Sequence, residues 1–265
     1  MNFTLFKKES KSNWLLLVIF LGVLSVYGSM ITMMFDPKMG DSLKAMADSM
    51  PDLFAAFGML NVGTTLLEFV SGYLYGVLFI AFPGVFIIIL TNRLAARYVD
   101  NGSMAYLLAA PVKRRRIMLT QAVFLLLCLL VMVGFVTGLI LAFGEMLFPG
   151  ELDIPAFLRL NAGLLGLLIF FGGACFCASC FCNESKTASA VGTGVVVYSL
   201  LMQMLSRVGD KFEFLRYATP LTLFDVDGLC AGDAKAWLGC AALYAAGIAC
   251  TVIGIVRFDR RDLPL

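Results

Sequence analysis

Four cysteines near the end of one long apolar run are the first residues whose types and spacing could do chemistry: Cys175, Cys177, Cys180 and Cys182. Soft thiolates clustered without histidine suit Cu(I). On a helix, however, the first and last share one face while the middle two form another pair, which makes convergence of all four awkward. Cysteine also packs as a small apolar residue, and the glycine, alanine and serine around these positions favour close packing of membrane helices. We therefore favour packing, with copper handling as the alternative.

Outside this cluster, the sequence offers no recognisable catalytic group. It contains no histidine, so it lacks the commonest general base and most zinc sites. It has no G-x-x-x-x-G-K-[ST] loop to hold phosphates, and Gly192-Thr193-Gly194 has no lysine after it. We predict no catalytic residue, no metal site, no cofactor and no nucleic-acid partner. Any uphill movement of a substrate would take its energy from another subunit.

The segment from Arg97 to Arg116 is the best candidate for a contact with another protein. Asn101 or Ser103 can cap a helix start, and Pro111 restricts where that helix ends. The short helix between them has an apolar face that suits a hydrophobic groove on a partner. That face carries Met104, Leu107 and Leu108. The basic block that follows, Lys113–Arg116, would by itself be read as an anchor at the lipid headgroups.

The elements that position these residues are predicted to be membrane helices. Of the 265 residues, 60% are apolar and 14% are charged, whereas roughly a quarter are charged in a soluble domain. Six apolar runs reach the about 20 residues needed to cross a bilayer, and none contains Asp, Glu, Lys or Arg in its interior. They are Asn13–Met34, Phe69–Asn92, Ile117–Phe143, Asn161–Cys182, Ala188–Ser206 and Ala236–Val256. The sequence therefore predicts an all-α membrane protein with six spans, forming one transmembrane domain over residues 1–265.

The distribution of basic residues predicts how the spans are oriented. If the N-terminus lies inside, thirteen of the twenty Lys and Arg fall in inner segments, and thirteen of the eighteen acids fall in outer ones. Cytoplasmic loops collect Lys and Arg, so both termini are placed in the cytoplasm. The residues before the first span, Met1–Ser12, read either as a short amphipathic segment at the headgroups or as a disordered tail.

The loop after the second span resembles the corresponding loop of type-2 ATP-binding-cassette exporter permeases. The family pattern has an acid, a glycine with a small hydroxyl residue, two leucines, a small residue, Pro-Val and an arginine. Here it would be matched by Asp100, Gly102, Ser103, Leu107, Leu108, Pro111 and Arg114. The family also commonly carries a basic pair and Asp after the last span, as in Phe258-Asp259-Arg260-Arg261-Asp262. Two positions depart from the pattern: Asp100 stands where Glu is usual, and Gln121 where a Lys often opens the third span.

The resemblance implies a half-transporter in a prokaryotic plasma membrane. Such permeases pair as homo- or heterodimers and seat a short coupling helix, here Ser103–Ala110, on a cytosolic ATP-binding subunit. Met104, Leu107 and Leu108 would contact that subunit. The second and fifth spans tend to face the translocation path in this family. In this chain those spans offer Phe79, Phe82 and Phe86, and Tyr198, Met202 and Gln203.

Alternatives to this interpretation stay open at this point. The phenylalanine stripe could equally be lipid contact or bundle core. The docking segment could serve a membrane scaffold or sensor that binds a cytosolic protein and transports nothing. A permease that handles copper through the cysteine cluster is the third possibility. The substrate class suggested by the resemblance is a drug, a peptide or another small amphipathic molecule.

Overall fold

The computed structural model describes residues 2–36, 49–50, 65–104, 112–207 and 210–261, and all regular structure within these ranges is helical. Six helices of the described chain are long and apolar enough to cross a membrane, which confirms the predicted fold class. The principal helices are α1 (Phe3–Met34), α2 (Leu66–Asp100), α3 (Arg114–Leu147), α4 (Ile154–Phe181), α5 (Ser185–Ser206), α6 (Val226–Ala231) and α7 (Ala234–Arg260). The short α6 is the one that does not qualify as a span.

The first helix begins ten residues before the apolar run predicted from the sequence. The side chain of Asn2 caps it by accepting a hydrogen bond from the Leu5 N–H. At 1.5 Å per residue, the 32 residues of α1 extend about 48 Å, well beyond the ~30 Å hydrocarbon core. Leu5 is buried, and Phe6 meets the Phe124 ring edge-on at 5.6 Å. The N-terminal segment is therefore a packed extension of the first span.

The fourth span forms the centre of the bundle. Helix α4 packs against α2, α3, α5 and α7, and 67% of its apolar window is buried. Helix α1 lies against α3 and α2. The corresponding buried fractions are only 17% for α1 and 22% for each of α5 and α7. These three outer helices therefore leave broad apolar faces for lipid or for another membrane subunit.

Glycines set the closest approach between α4 and α7. A Cβ built on Gly247 would lie 2.6 Å from the carbonyl oxygen of Ile169, and a Cβ on Gly173 would collide with the carbonyl of Gly247. The two backbones can touch only because neither residue carries a side chain. Likewise, a Cβ on Gly84 of α2 would lie 2.8 Å from Val196 of α5.

The cysteine cluster divides between two neighbouring helices. Cys175 faces α5, where its sulfur lies 3.9 Å from the carbonyl oxygen of Gly192. Cys180 instead faces α7, where a Cβ on Gly254 would lie 3.5 Å from its sulfur. Within the described residues, no three of the His, Cys, Asp or Glu side chains are grouped to hold a metal. This geometry supports the packing interpretation of the thiols.

Both described ends of the chain lie at the same end of the bundle, which we call the basic end. The backbone N–H of Asn2 donates to Thr120 Oγ1 at 2.9 Å, and Arg114 Nη1 donates to the Arg261 carbonyl at 2.9 Å. Helix α2 ends and helix α3 begins at this end as well, since Tyr98 contacts Glu9 and Arg114 contacts Arg261. Two ends on one side are what an even number of spans requires.

Candidate functional site

A buried carboxylate joins three helices at the basic end. Glu9 of α1 is 2% exposed. Its Oε1 accepts hydrogen bonds from the Tyr98 hydroxyl of α2 at 2.6 Å and from Gln121 Nε2 of α3 at 3.1 Å. Its Oε2 accepts one from Asn13 Nδ2 at 3.1 Å, one helical turn further along α1. We call Glu9, Asn13, Tyr98 and Gln121 the Glu9 cluster.

The partners of Glu9 are neutral side chains, which makes the cluster dependent on its geometry. A buried carboxylate loses its hydration and is tolerated only when hydrogen bonds replace the lost water. Here those hydrogen bonds come from two other helices as well as from α1. Arg93 reaches only the outside of the cluster, with Nη1 3.5 Å from Asn13 Oδ1. A displacement of any one helix end would break hydrogen bonds to a buried charge.

The end of α2 is also tied to the start of α5. Asn92 Nδ2 donates to the Ser185 carbonyl at 3.1 Å. The Asn92 side chain also hydrogen-bonds the hydroxyls of Ser185 and Ser189. Asn92 begins a π-helical turn, Asn92–Ala96, and such wide turns often occur at functional sites. The end of α2 is thus hydrogen-bonded to α1 and α5, and it is linked to α3 through Glu9.

The predicted docking segment starts immediately after this junction. Asp100 is the exposed last residue of α2. Gly102 follows with φ +67°, a left-handed conformation that glycine adopts without strain. Ser103 Oγ donates to the Tyr98 carbonyl at 3.3 Å. Met104 is 1% exposed and belongs to the core of the chain, so it anchors the segment and its side chain is not presented to a partner.

The structure describes only some of the remaining predicted docking residues. Leu107, Leu108 and Pro111 lie outside the described residues, and so does most of the predicted coupling helix. Arg114 is half-buried at the first turn of α3, and its guanidinium binds the backbone of Arg261. That contact fixes the far end of the segment to the end of α7.

A polar cavity of about 250 Å³ opens between α1 and the end of α2. Its inner wall contains Glu9, Asn13 and Tyr98 of the Glu9 cluster. Its rim contains Arg93 and Arg97 of α2 and three small polar residues, Ser12, Asn101 and Ser103. The cavity is thus bounded on one side by the first residues of the docking segment.

Two of the three phenylalanines proposed for a translocation path are packed inside the chain. Phe79 and Phe86 are each 1% exposed. Phe86 meets the ring of Phe20 on α1 at 5.5 Å, and Phe79 meets that of Tyr75 at 5.1 Å. For these two the bundle-core alternative describes the structure, because α1 and α4 cover this face of α2. Phe82 is only partly buried, against the half-exposed Tyr27.

The three candidates on α5 lie differently from those on α2. Tyr198 is 48% exposed, while Met202 and Gln203 are half-buried. In the part of the chain that the structure describes, Gln203 Oε1 is enclosed and accepts no hydrogen bond. Tyr198 stands in a row of exposed positions spaced three and four residues apart, at Val191, Gly194, Tyr198, Leu201 and Leu205. We call this row the α5 stripe.

The comparison with known families agrees with this architecture. The family model described as ABC-2 family transporter protein matches residues 6–263. The chain belongs to the ABC-2 transporter family. It is accordingly a multi-pass membrane permease of an ATP-binding-cassette transporter. A comparison with curated proteins gave no match.

The structure gives a physical role to the family's charged residues after the last span. Asp259 forms an ion pair of 2.7 Å with Arg115, the second residue of α3. Arg261 donates to the carbonyls of Cys180 and Cys182, at 2.8 and 3.1 Å. It therefore satisfies carbonyls at the end of α4 that have no partner within the helix. These contacts hold the start of α3 and the ends of α4 and α7 together at the basic end.

Sequence reasoning did not identify the Glu9 cluster. Gln121 drew notice only because a Lys often stands there in the resembling permeases. A signal for Glu9 did exist, since it is the one acid among Lys7, Lys8 and Lys11, and Asn13 follows it by one helical turn. Its partners Tyr98 and Gln121 lie 89 and 112 residues away in the chain. No local pattern connects residues so far apart.

Proposed function

We propose that this chain is one half of an exporter for a drug, a peptide or another small amphipathic substrate, driven by ATP hydrolysed in a separate cytosolic subunit. Membership of the ABC-2 family supports a permease role. The observation that carries the rest of the proposal is the junction at the end of α2. There Tyr98, one turn before the docking segment, is hydrogen-bonded to Glu9 of α1, and Asn92, further back on α2, is hydrogen-bonded to α5. Glu9 in turn accepts a hydrogen bond from Gln121 of α3. A force applied to this segment would reach α1 and α5 through direct hydrogen bonds, and α3 through Glu9.

In this proposal the basic end faces the cytoplasm of a prokaryotic cell. The excess of Lys and Arg there supports this orientation. The ATP-binding subunit contacts the segment between α2 and α3, mainly through Leu107 and Leu108. Met104 supports the segment from inside the permease, since it is already buried. Arg114 holds the far end of the segment to α7.

We further propose that a second permease half packs against α5. The α5 stripe has the spacing of three and four residues at which apolar side chains pair between helices. Tyr198, Leu201 and Leu205 are 48%, 52% and 45% exposed, and no helix in the described part of the chain covers them. The path would then lie between the two halves, lined by Tyr198 and Met202, with Gln203 as a hydrogen-bonding group. Of the three phenylalanines on α2, Phe82 is the one left for that path, because Phe79 and Phe86 are buried.

The docking proposal is tested by replacing Leu107 and Leu108 together with Asp. An apolar groove cannot accept two unpaired carboxylates, each of which costs several kcal/mol if buried while charged. We expect the variant to insert normally but to lose the ATPase in a pull-down and ATP-driven efflux from vesicles. As a control, Phe3→Asp adds a carboxylate at the same end, on a side chain that is 72% exposed. It should retain both activities.

A second variant separates docking from anchoring. Changing the exposed Lys113 and Arg116 to Gln, while keeping Arg114 and Arg115 and their contacts to the end of α7, should weaken insertion topology more than ATPase recruitment, since these two residues are expected at the headgroups. Normal recruitment and efflux in the Leu107/Leu108 variant would refute the coupling-helix assignment. Loss of a cytosolic partner that is not an ATPase, in a protein with no ATP-dependent transport, would favour the scaffold alternative.

A further inference from the structure

The polar cavity at the basic end lies at the depth of the lipid headgroups. The apolar run of α1 begins just after Asn13, and that of α2 ends at Asn92. The cavity is bounded by Asn13 and by Arg93, so it occupies the level at which both spans leave the hydrocarbon. Its rim residues Ser12, Arg97 and Asn101 are exposed, which leaves the cavity accessible from the membrane surface.

The cavity contains separated charges that do not neutralise each other. Among the described residues, the ion pair of Arg115 and Asp259 is the one within 4.0 Å, so neither Arg93 nor Arg97 has a carboxylate at that distance. Glu9 takes its hydrogen bonds from neutral donors instead. The rim therefore offers two guanidinium groups, one turn apart on α2, while the inner wall offers a carboxylate. The ligand that complements both carries a negative and a positive group in one small molecule.

We propose that this cavity binds the phosphoethanolamine headgroup of a phospholipid in the leaflet at the basic end. Arg93 and Arg97 contact the phosphate, because guanidinium groups match phosphate oxygens in both charge and geometry. The primary ammonium points inward and donates to Glu9 Oε2 and Asn13 Oδ1. Each of these oxygens has one neighbouring donor in the structure, Asn13 Nδ2 and Arg93 Nη1 respectively, and a carbonyl-type oxygen can accept two hydrogen bonds.

The same geometry discriminates against other common headgroups. A glycerol headgroup keeps the phosphate but brings no cation to Glu9. A choline headgroup keeps the positive charge but has no N–H to donate to Glu9 and Asn13, and its three methyl groups enlarge it. The cavity therefore selects a primary amine joined to a phosphodiester. This inference concerns the permease alone and does not depend on whether an ATPase docks nearby.

The test is a titration of the purified, delipidated chain in detergent, followed by native mass spectrometry. The probes are short-chain phosphatidylethanolamine, phosphatidylglycerol and phosphatidylcholine. We expect phosphatidylethanolamine to bind about tenfold more tightly than the other two. Free phosphoethanolamine should compete with it and inorganic phosphate should compete weakly, which separates recognition of the headgroup from recognition of the lipid tails. Equal affinity for the three lipids would overturn the proposal.

Variants test separately the arginines proposed to bind the phosphate and the carboxylate proposed to bind the ammonium. R93Q/R97Q should weaken phosphatidylethanolamine binding about tenfold or more. E9Q should weaken phosphatidylethanolamine binding about tenfold, to the level of phosphatidylglycerol, and leave phosphatidylglycerol binding unchanged. The matched control R257Q/R260Q removes the same charge from two exposed arginines at the end of α7 and should bind as the parent protein does. If R93Q/R97Q does not fold, R93K/R97K keeps the charge and should retain part of the affinity. Unchanged binding in the folded arginine variants would contradict the proposal.

Discussion

The Tyr98 hydroxyl donates a 2.6 Å hydrogen bond to Glu9 Oε1 across 89 residues of the chain. It joins the start of the first span to the end of the second, just before the docking segment begins. Glu9 is almost fully enclosed, so the strength of this bond depends on how well α1 and α2 stay aligned. Lys8 also contacts Tyr98, with its Nζ lying over the ring at 5.4 Å from the ring centre.

Replacing Tyr98 with Phe should weaken both folding and coupling. The substitution removes one of the three side-chain donors to Glu9, and a hydrogen bond to a charged group contributes about 1.5–3 kcal/mol. We expect lower thermal stability, continued recruitment of the ATPase, and less efflux for each ATP hydrolysed. A double-mutant cycle with Glu9→Gln measures the interaction free energy of the two side chains. If the stability losses of the two single variants simply add, the hydrogen bond contributes no interaction free energy and the prediction is wrong.

Replacing Gly247 with Ala should destabilise the bundle. The added Cβ would lie 2.6 Å from the Ile169 carbonyl oxygen, so α7 must move away from α4. Overpacking of this kind costs about 1–3 kcal/mol. Thermal unfolding in detergent measures the loss. Gly138→Ala on α3 is the matched control, because its Cβ meets nothing within 4 Å; an equal loss in both variants would argue against the close approach of α4 and α7.

Replacing Cys175, Cys177, Cys180 and Cys182 together with Ala should lower stability modestly and leave transport largely intact. The thiols of Cys175 and Cys180 fill space against Gly192 of α5 and Gly254 of α7 respectively. Metal content by elemental analysis and efflux from vesicles are measured side by side. A stoichiometric metal that disappears together with activity in this variant would favour the copper alternative.

Alkylation of Cys230 should be slow at pH 8 and accelerate steadily toward pH 11. Burial first, and then the negative charge of Asp227, raise the pKa of this thiol to about 11, while Arg159 acts in the opposite direction. A thiol reacts as its thiolate, so on the order of a hundredfold less reactive species is present at pH 8 than for a thiol of pKa 9. Mass spectrometry of maleimide-treated protein locates and times the modification. Asp227→Asn should speed the reaction at pH 8, and a faster rate in the parent protein would contradict this assignment.

A cysteine placed at Leu201 should cross-link two copies of the chain if the transporter is a homodimer. Leu201 is 52% exposed on the α5 stripe. The experiment uses a background without native cysteines and mild oxidation in membranes, with dimers counted on a gel. Ile253→Cys on α7 is equally exposed, at 53%, and should give little dimer. More dimer from Ile253→Cys than from Leu201→Cys would place the interface elsewhere.

Some of the fold could be read directly along the chain. The six runs such as Phe69–Asn92 and Ile117–Phe143 predicted the six spans because the hydrocarbon core demands unbroken apolar length. The docking segment is a prediction from the sequence, because glycine, serine and proline interrupt the apolar pattern at fixed places. The small residues around Gly173 indicated close helix packing at this position, but they did not indicate which helix packs there. Its partner Gly247 lies two spans further on and could not be named.

The sequence by itself therefore determined the number of spans, the predicted orientation of the spans in the membrane and the family resemblance. All three depend on residues that lie near each other in the chain. Only the tertiary structure decided that Glu9 is buried, that Met104, Phe79 and Phe86 are core residues, and that Arg93 and Arg97 share a polar cavity with Glu9. The physical reason is that in a membrane an apolar side chain looks the same in sequence whether it faces lipid, a neighbouring helix or a path. A charged residue likewise looks the same at the headgroups or inside a cluster, and only the packing of distant helices separates these environments.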